Sequence, residues 1–169
     1  WHDGDICGKQ VLNKDSGRIF RIRPTESLAI DWPGRYDNLA DLDDEGLVSL
    51  QRSPSEWHAR RARLILQGRA AGGALGSETH ARLRELFSEG AGTHLRLRGM
   101  WGLHVTGGLD EATLVAGLKD SDPHVRAWSI QLLCEDSAPG VEVLGTFAEL
   151  AVSDPSPVVR LYLAAAMQR

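Results

Sequence analysis

One phrase occurs twice in this chain, as Asp120-Ser121-Asp122-Pro123-His124-Val125-Arg126 and as Ser153-Asp154-Pro155-Ser156-Pro157-Val158-Val159-Arg160. Each time a polar turn with Asp-Pro leads into Val-Arg and then into an apolar run of helical spacing. Proline is tolerated at the first position of a helix, where its missing N–H would have no partner anyway, and a nearby Asp can cap the orphan amides. The phrase predicts the turn and second-helix start of an α-helical hairpin, and a recurring hairpin is the unit of a repeat fold. Repeats make surfaces, which suit binding better than catalysis.

From about residue 47 to the end the periodicity predicts helices. Ser53-Pro54-Ser55-Glu56 reads as a capping box opening a helix that stops near Gly68. Ser77 is expected to cap a helix ending at Gly90, and the next carries Leu95, Leu97, Met100, Trp101 and Leu103. Asp110 caps a short helix, Asp122-Pro123 opens another, Pro139 begins a third, and Asp154 or Ser156 opens the last. One arginine stands near the start of each expected second helix, at Arg60, Arg98, Arg126 and Arg160, with spacings of 38, 28 and 34 residues. Two helices and two turns fit those lengths, and a unit so small buries its apolar face only by stacking on neighbours.

The first 24 residues differ. Arg18-Ile19-Phe20-Arg21-Ile22-Arg23 alternates polar and apolar, the period of a half-buried strand, and Pro24 ends it. A lone strand or hairpin is marginal in water, so residues 1–24 read as a β remnant of a sheet lying elsewhere. Residues 25–46, with Pro33-Gly34 and the acidic stretch Asp41 to Glu45, read as a linker, and 47–169 as helical repeats. The chain opens on Trp1 and closes on a helical pattern, so it reads as a piece of something longer.

The net charge of −4 argues against a nucleic-acid partner, which calls for a concentrated basic face. No apolar run reaches the length of a membrane-spanning helix. His2, Asp3, Asp5 and Cys7 are the one candidate metal cluster. Alternation puts Asp3, Asp5 and Cys7 on one side, but their mixed hardness favours a turn whose carboxylates bond backbone amides. Arg60, Arg98, Arg126 and Arg160 read either as an anion-binding stripe or, preferably, as a structural ladder pairing with Asp122, Asp154 or helix-end carbonyls. Trp57, Trp101 and Trp128 read either as an aromatic binding face or, preferably, as filling between repeats. Neither His-Glu-x-x-His nor Gly-x-Ser-x-Gly is present. Catalysis by the helical units would need an aromatic cleft with a central carboxylate.

The helical units resemble HEAT repeats, on Asp122-Pro123-His124-Val125-Arg126 and Asp154-Pro155-Ser156-Pro157-Val158-Val159-Arg160, with looser versions at Ala59-Arg60 and Leu97-Arg98. The resemblance implies an all-α superhelix, with the Asp serving the turn and the Arg stacking between repeats. Further residues carry a wider resemblance: Trp1-His2-Asp3-Gly4-Asp5-Ile6-Cys7-Gly8-Lys9, Gly17-Arg18-Ile19-Phe20-Arg21-Ile22, Trp57-His58-Ala59-Arg60-Arg61-Ala62, and Leu95 to Leu103. Together they resemble bacterial putative membrane-bound dehydrogenases, large exported proteins with a quinoprotein glucose/sorbosone dehydrogenase-like β-propeller, then HEAT repeats, often then a cytochrome c domain. That implies residues 1–24 end the last propeller blade and the rest is a non-catalytic scaffold or interaction segment, periplasmic or exported, partnered by its own propeller or by another protein. Pyrroloquinoline quinone and haem c are then expected in the parent protein but not in this segment, which has no Cys-x-x-Cys-His. The alternative is a free-standing protein-binding adaptor.

Overall fold

The computed structural model describes residues 38–135 and 138–168. Among them the chain is all-helical. The eight α-helices are α1 (Asp44–Ser49), α2 (Glu56–Ala71), α3 (Thr79–Glu89), α4 (Thr93–Val105), α5 (Glu111–Gly117), α6 (Pro123–Leu133), α7 (Val141–Ser153) and α8 (Pro157–Ala166). Short 3-10 turns occupy Leu39–Asp41 and Leu50–Arg52. The expected β remnant, and with it His2, Asp3, Asp5 and Cys7, lies outside the described residues.

Helical structure starts earlier than the expected boundary at 47. Asn38 caps the first 3-10 turn by accepting from the Ala40 N–H, and Asp43 caps α1 by accepting from the Gly46 N–H at 2.8 Å. The stretch expected as the end of a linker is thus a capped entry whose Leu39, Leu47 and Val48 are buried. Its acidity serves structure. Asp44 takes Arg69 at 2.6 Å, the Gly76 N–H at 2.6 Å and the Thr79 hydroxyl at 3.1 Å, tying the start of α1 to the end of α2 and the start of α3.

The helices pair in chain order, α1 with α2, α3 with α4, α5 with α6 and α7 with α8, and the second members touch in series: α2 with α4, α4 with α6, α6 with α8. Three apolar clusters follow the same order. Leu47, Val48, Ala62, Leu66, Leu83 and Leu103 join α1 to α4; Leu97, Met100, Leu114, Val125 and Leu132 join α4 to α6; Leu118, Ile130, Cys134, Val143, Phe147, Val159 and Leu163 join the α5–α6 pair to α7 and α8. No pair has a core of its own. Each full burial of a Leu or Val is worth about 1.5–3 kcal/mol, so every pair depends on its neighbour for several such terms.

Glycine sets the closest approach. A Cβ on Gly99 of α4 would sit 2.6 Å from the Phe87 nitrogen and 2.9 Å from the Leu83 oxygen, both backbone atoms of α3, and one on Gly102 would sit 2.7 Å from the Leu83 side chain. These two glycines let α3 and α4 touch backbone to backbone.

Several helix starts differ from expectation. Ser55, not Ser53, caps α2 by accepting from the His58 N–H, leaving Pro54 outside the helix. The cap of α3 is Glu78 and not Ser77, with no side-chain bond, and α7 begins at Val141 after Gly140, not at Pro139. Asp110 and Asp122 cap α5 and α6 as the spacing predicts.

Candidate functional site

The arginine register is the first step toward the site. Arg96, Arg126 and Arg160 each occupy the fourth position of α4, α6 and α8, where α2 has Ala59. Arg126 grips Asp154 through two bonds of 2.7 and 2.9 Å and donates to the Asp120 and Ser121 carbonyls. Arg160 donates to the Asp154 carbonyl at 2.7 Å. Arg96 grips Asp120 through bonds of 3.0 and 2.5 Å and donates to the Phe87 carbonyl. Each aspartate also accepts an N–H two residues on, from Asp122 and Ser156. Asp120 and Asp154 therefore play one role six residues ahead of an arginine, and Pro123 matches Pro157. The Asp122-to-Asp154 match of the sequence reading is two residues out of register. Asp122 instead caps α6 and accepts from the Thr93 hydroxyl.

These contacts hold Asp154 and Asp120 below the usual carboxylate range, chiefly through the hydrogen bonds from Arg126 and Arg96. Arg126 and Arg96 are raised for the reciprocal reason. Paired in both directions, neither arginine offers a free anion site, so the structure places them as turn-to-helix clamps.

Arg60 and Arg98, expected in the same ladder, are not in it. Arg60 is exposed and pairs with Glu56 one turn back at 3.5 Å. Arg98 is 4% exposed and reaches out of α4 to the carbonyls of Gln51 and Ser53, each at 2.7 Å, and to the Glu56 carboxylate. It stands two residues after Arg96, where α6 has Trp128 and α8 has Tyr162. Arg98 thus stitches α4 to the turn before α2.

The tryptophans divide. Trp57 is 62% exposed on the first turn of α2 and fills no core. Trp101 and Trp128 are half-buried and meet edge to face with centroids 4.9 Å apart, and Trp128 continues to Tyr162 at 6.3 Å. This aromatic row crosses α4, α6 and α8. Such pairs add about 0.5–1.5 kcal/mol beyond area burial.

Trp101 and Trp128 line an open groove of about 870 Å³ over α2, α4 and α6. Arg60 and Arg63 line it from α2, His94 and His104 from α4, and His124 and Gln131 from α6. The Arg63 guanidinium lies over the Trp101 ring at 5.2 Å. Burial, and then the neighbouring Arg98 and Arg60 charges, push its pKa down against the opposing pull of Glu56. Its Nη1 and the Trp101 indole Nε1 are buried donors without a hydrogen-bond partner. The two carboxylates at the groove are engaged: Glu135 pairs with His104 at 2.8 Å, and Glu56 is held by Arg98 and Arg60.

The groove supplies an aromatic cleft, but its carboxylate Glu56 is poorly suited to proton transfer. The hydrogen bond from Arg98, followed by the charges of Arg98 and Arg60, keeps Glu56 below the usual range, away from the pKa near 7 of an efficient general base. No cluster of three His, Cys, Asp or Glu side chains suited to a metal occurs among the described residues. His80 bonds Thr106, and Cys134 is buried in the last core as the apolar run around it predicts. Among the described residues, no helix is long and apolar enough to cross a membrane.

The sequence marks Trp101 and Trp128 but misses Arg63 and Arg96. Leu95-Arg96-Leu97-Arg98 offers two apolar-Arg steps, and only packing decides between them. The neighbouring α2 arginines Arg60, Arg61 and Arg63 likewise differ only by which face of the helix turns to α4. Comparison with protein-family models, with curated proteins and with solved structures gives no match to this chain.

Proposed function

We propose that residues 38–168 form a HEAT-like α-α superhelix that acts as a non-catalytic scaffold and docking segment, with the groove over α2, α4 and α6 as its docking face. Serial contact of the second helices and the Arg96, Arg126, Arg160 register support the repeat reading. The observation that carries the docking role is the half-buried Trp101–Trp128 pair lining an open groove, because aromatic side chains in a concave patch are the commonest anchors of protein interfaces. By the resemblance drawn from the sequence, the segment belongs to a larger exported, periplasmic quinoprotein-like dehydrogenase that oxidises a sugar or alcohol. Pyrroloquinoline quinone would sit in the propeller and haem c beyond the helices, with the segment holding the catalytic module against its propeller or a partner protein.

The test uses the native full-length protein. With the quinone supplied, it should oxidise sugars or alcohols, and His94→Glu with Arg63→Gln should leave turnover with an artificial electron acceptor unchanged while slowing transfer to its natural acceptor. Loss of artificial-acceptor turnover would put chemistry in the helical segment and refute the scaffold role. A coding sequence with neither propeller nor export signal would refute the dehydrogenase parent and leave the free-standing adaptor.

A further inference from the structure

Three arginines, Arg60, Arg63 and Arg98, line the groove beside one carboxylate, Glu56. Glu56 pairs with Arg60 and Arg98, which leaves Arg63 with no hydrogen bond or ion pair among the described residues. The other groove carboxylate, Glu135, lies 2.8 Å from the His104 Nε2. Burying the Arg63 Nη1 without an acceptor is costly, since native proteins satisfy most buried polar groups. Trp101 adds a second unmet donor of the same kind beside it. Both missing partners are acceptors, and the charge the site lacks is negative.

We propose that the groove takes an acidic, aromatic- or aliphatic-bearing segment of a partner protein, whose carboxylate pairs with Arg63 while a neighbouring apolar side chain packs on Trp101 and Trp128. This rests on the docking role proposed above and names its partner's chemistry. A carboxylate fits because Arg offers two N–H groups in the plane that a carboxylate accepts, and such charge-assisted bonds are about twice as strong as neutral ones. A protein segment, not a nucleic acid, is the occupant because the chain's net charge of −4 repels an extended polyanion, whereas one local carboxylate meets a local excess of positive charge. Arg63 and Trp101 would move slightly to present their shielded donors, which makes Arg63 a positioning and recognition group together.

The experiment is fluorescence anisotropy of the full chain with labelled nine-residue peptides having a central Leu-Trp flanked by Glu, Gln or Lys. The Glu peptide should bind about tenfold tighter than the Gln peptide, as expected for one charge-assisted pair, and the Lys peptide should bind weakest. Raising salt should narrow the gap. Arg63→Gln should abolish the Glu-over-Gln preference and Arg63→Lys should restore part of it, each with unchanged circular dichroism. Equal binding of the Glu and Gln peptides would overturn the acidic specificity and leave the docking groove standing. No binding by any peptide would overturn both. Arg63-dependent binding of single-stranded oligothymidine tighter than the Glu peptide, or of free N-acetylglutamate as tight as it, would overturn the acidic protein segment in favour of a nucleic acid or a small acid.

Discussion

Replacing glycine by alanine in a helix normally stabilises by about 1 kcal/mol, because glycine loses more backbone freedom on folding. Two helical glycines here should respond with opposite sign. Gly145 in α7 is exposed, and a Cβ there meets nothing within 4 Å, so Gly145→Ala should stabilise by about 0.5–1 kcal/mol. Gly99 in α4 faces α3, where the new methyl would press on the Phe87 nitrogen at 2.6 Å and the Leu83 oxygen at 2.9 Å. Both are main-chain atoms and cannot rotate away, so α3 and α4 must separate. Overpacking of this kind costs about 1–3 kcal/mol, and the absence of a side-chain escape puts Gly99→Ala at the upper end. Subtracting the propensity gain leaves a net loss of about 2 kcal/mol. With a urea m-value of about 1–3 kcal/mol/M, the midpoint should fall by roughly 1 M for Gly99→Ala and rise by a few tenths for Gly145→Ala. Gly99→Ala as stable as the parent chain would refute the backbone contact between α3 and α4.

Four further outcomes follow from particular residues. Asp154 is 6% exposed and holds Arg126, so Asp154→Ala should cost about 3 kcal/mol by leaving the guanidinium with only the Asp120 and Ser121 carbonyls, read by urea titration. Because its folded pKa is depressed, Asp154 contributes stability above the unfolded value of about 3.9 that is lost as pH falls through the folded value; Asp154→Asn should flatten the acid limb of a stability–pH profile in that window. Arg98→Met should cost about 2–4 kcal/mol by unpairing the Gln51 and Ser53 carbonyls, visible as faster hydrogen exchange at the start of α2, and unchanged exchange there would refute the stitch. Trp57→Ala should change stability by less than about 0.5 kcal/mol, whereas Trp128→Ala, which breaks the aromatic row, should lower it by about 2 kcal/mol in thermal melts; equal effects would refute the division of the tryptophans.

The helical class and most helix positions are legible because they rest on local signals: Asp110 and Asp122 at caps, Pro123 and Pro157 at first positions, and apolar runs of period 3.6. The register of the arginines is not legible, because it depends on which side of α4 meets the turn before α6. Arg96 and Arg98 lie only two positions apart and point to different neighbours, one to Asp120 and the other to the Ser53 carbonyl. The doubled Asp-Pro phrase hides its register for the same reason. Asp122-Pro123 and Asp154-Pro155 are alike in letters, yet hydrogen bonding pairs Asp154 with Asp120 in role. The exposure of Trp57 is not legible, because the sequence shows periodicity but not the edge of a stack. On the first turn of α2 its ring meets His58 and solvent. The groove was legible only as a pair of tryptophans; the uncompensated charge of Arg63 emerges from three-dimensional counting of who holds Glu56 and Glu135.

The docking face is tested most directly by nuclear magnetic resonance of the indole N–H groups in the nitrogen-15-labelled chain, titrated with the acidic Leu-Trp peptide in unlabelled form. The chain has five tryptophans, and the groove holds Trp101 and Trp128 while Trp57 stands outside it. Occupation of the groove should move the Trp101 and Trp128 resonances, Trp101 furthest because its N–H gains an acceptor, and leave Trp57 in place. Shifts at Trp57 equal to those at Trp101, or binding that leaves Trp101 and Trp128 unmoved, would contradict the account.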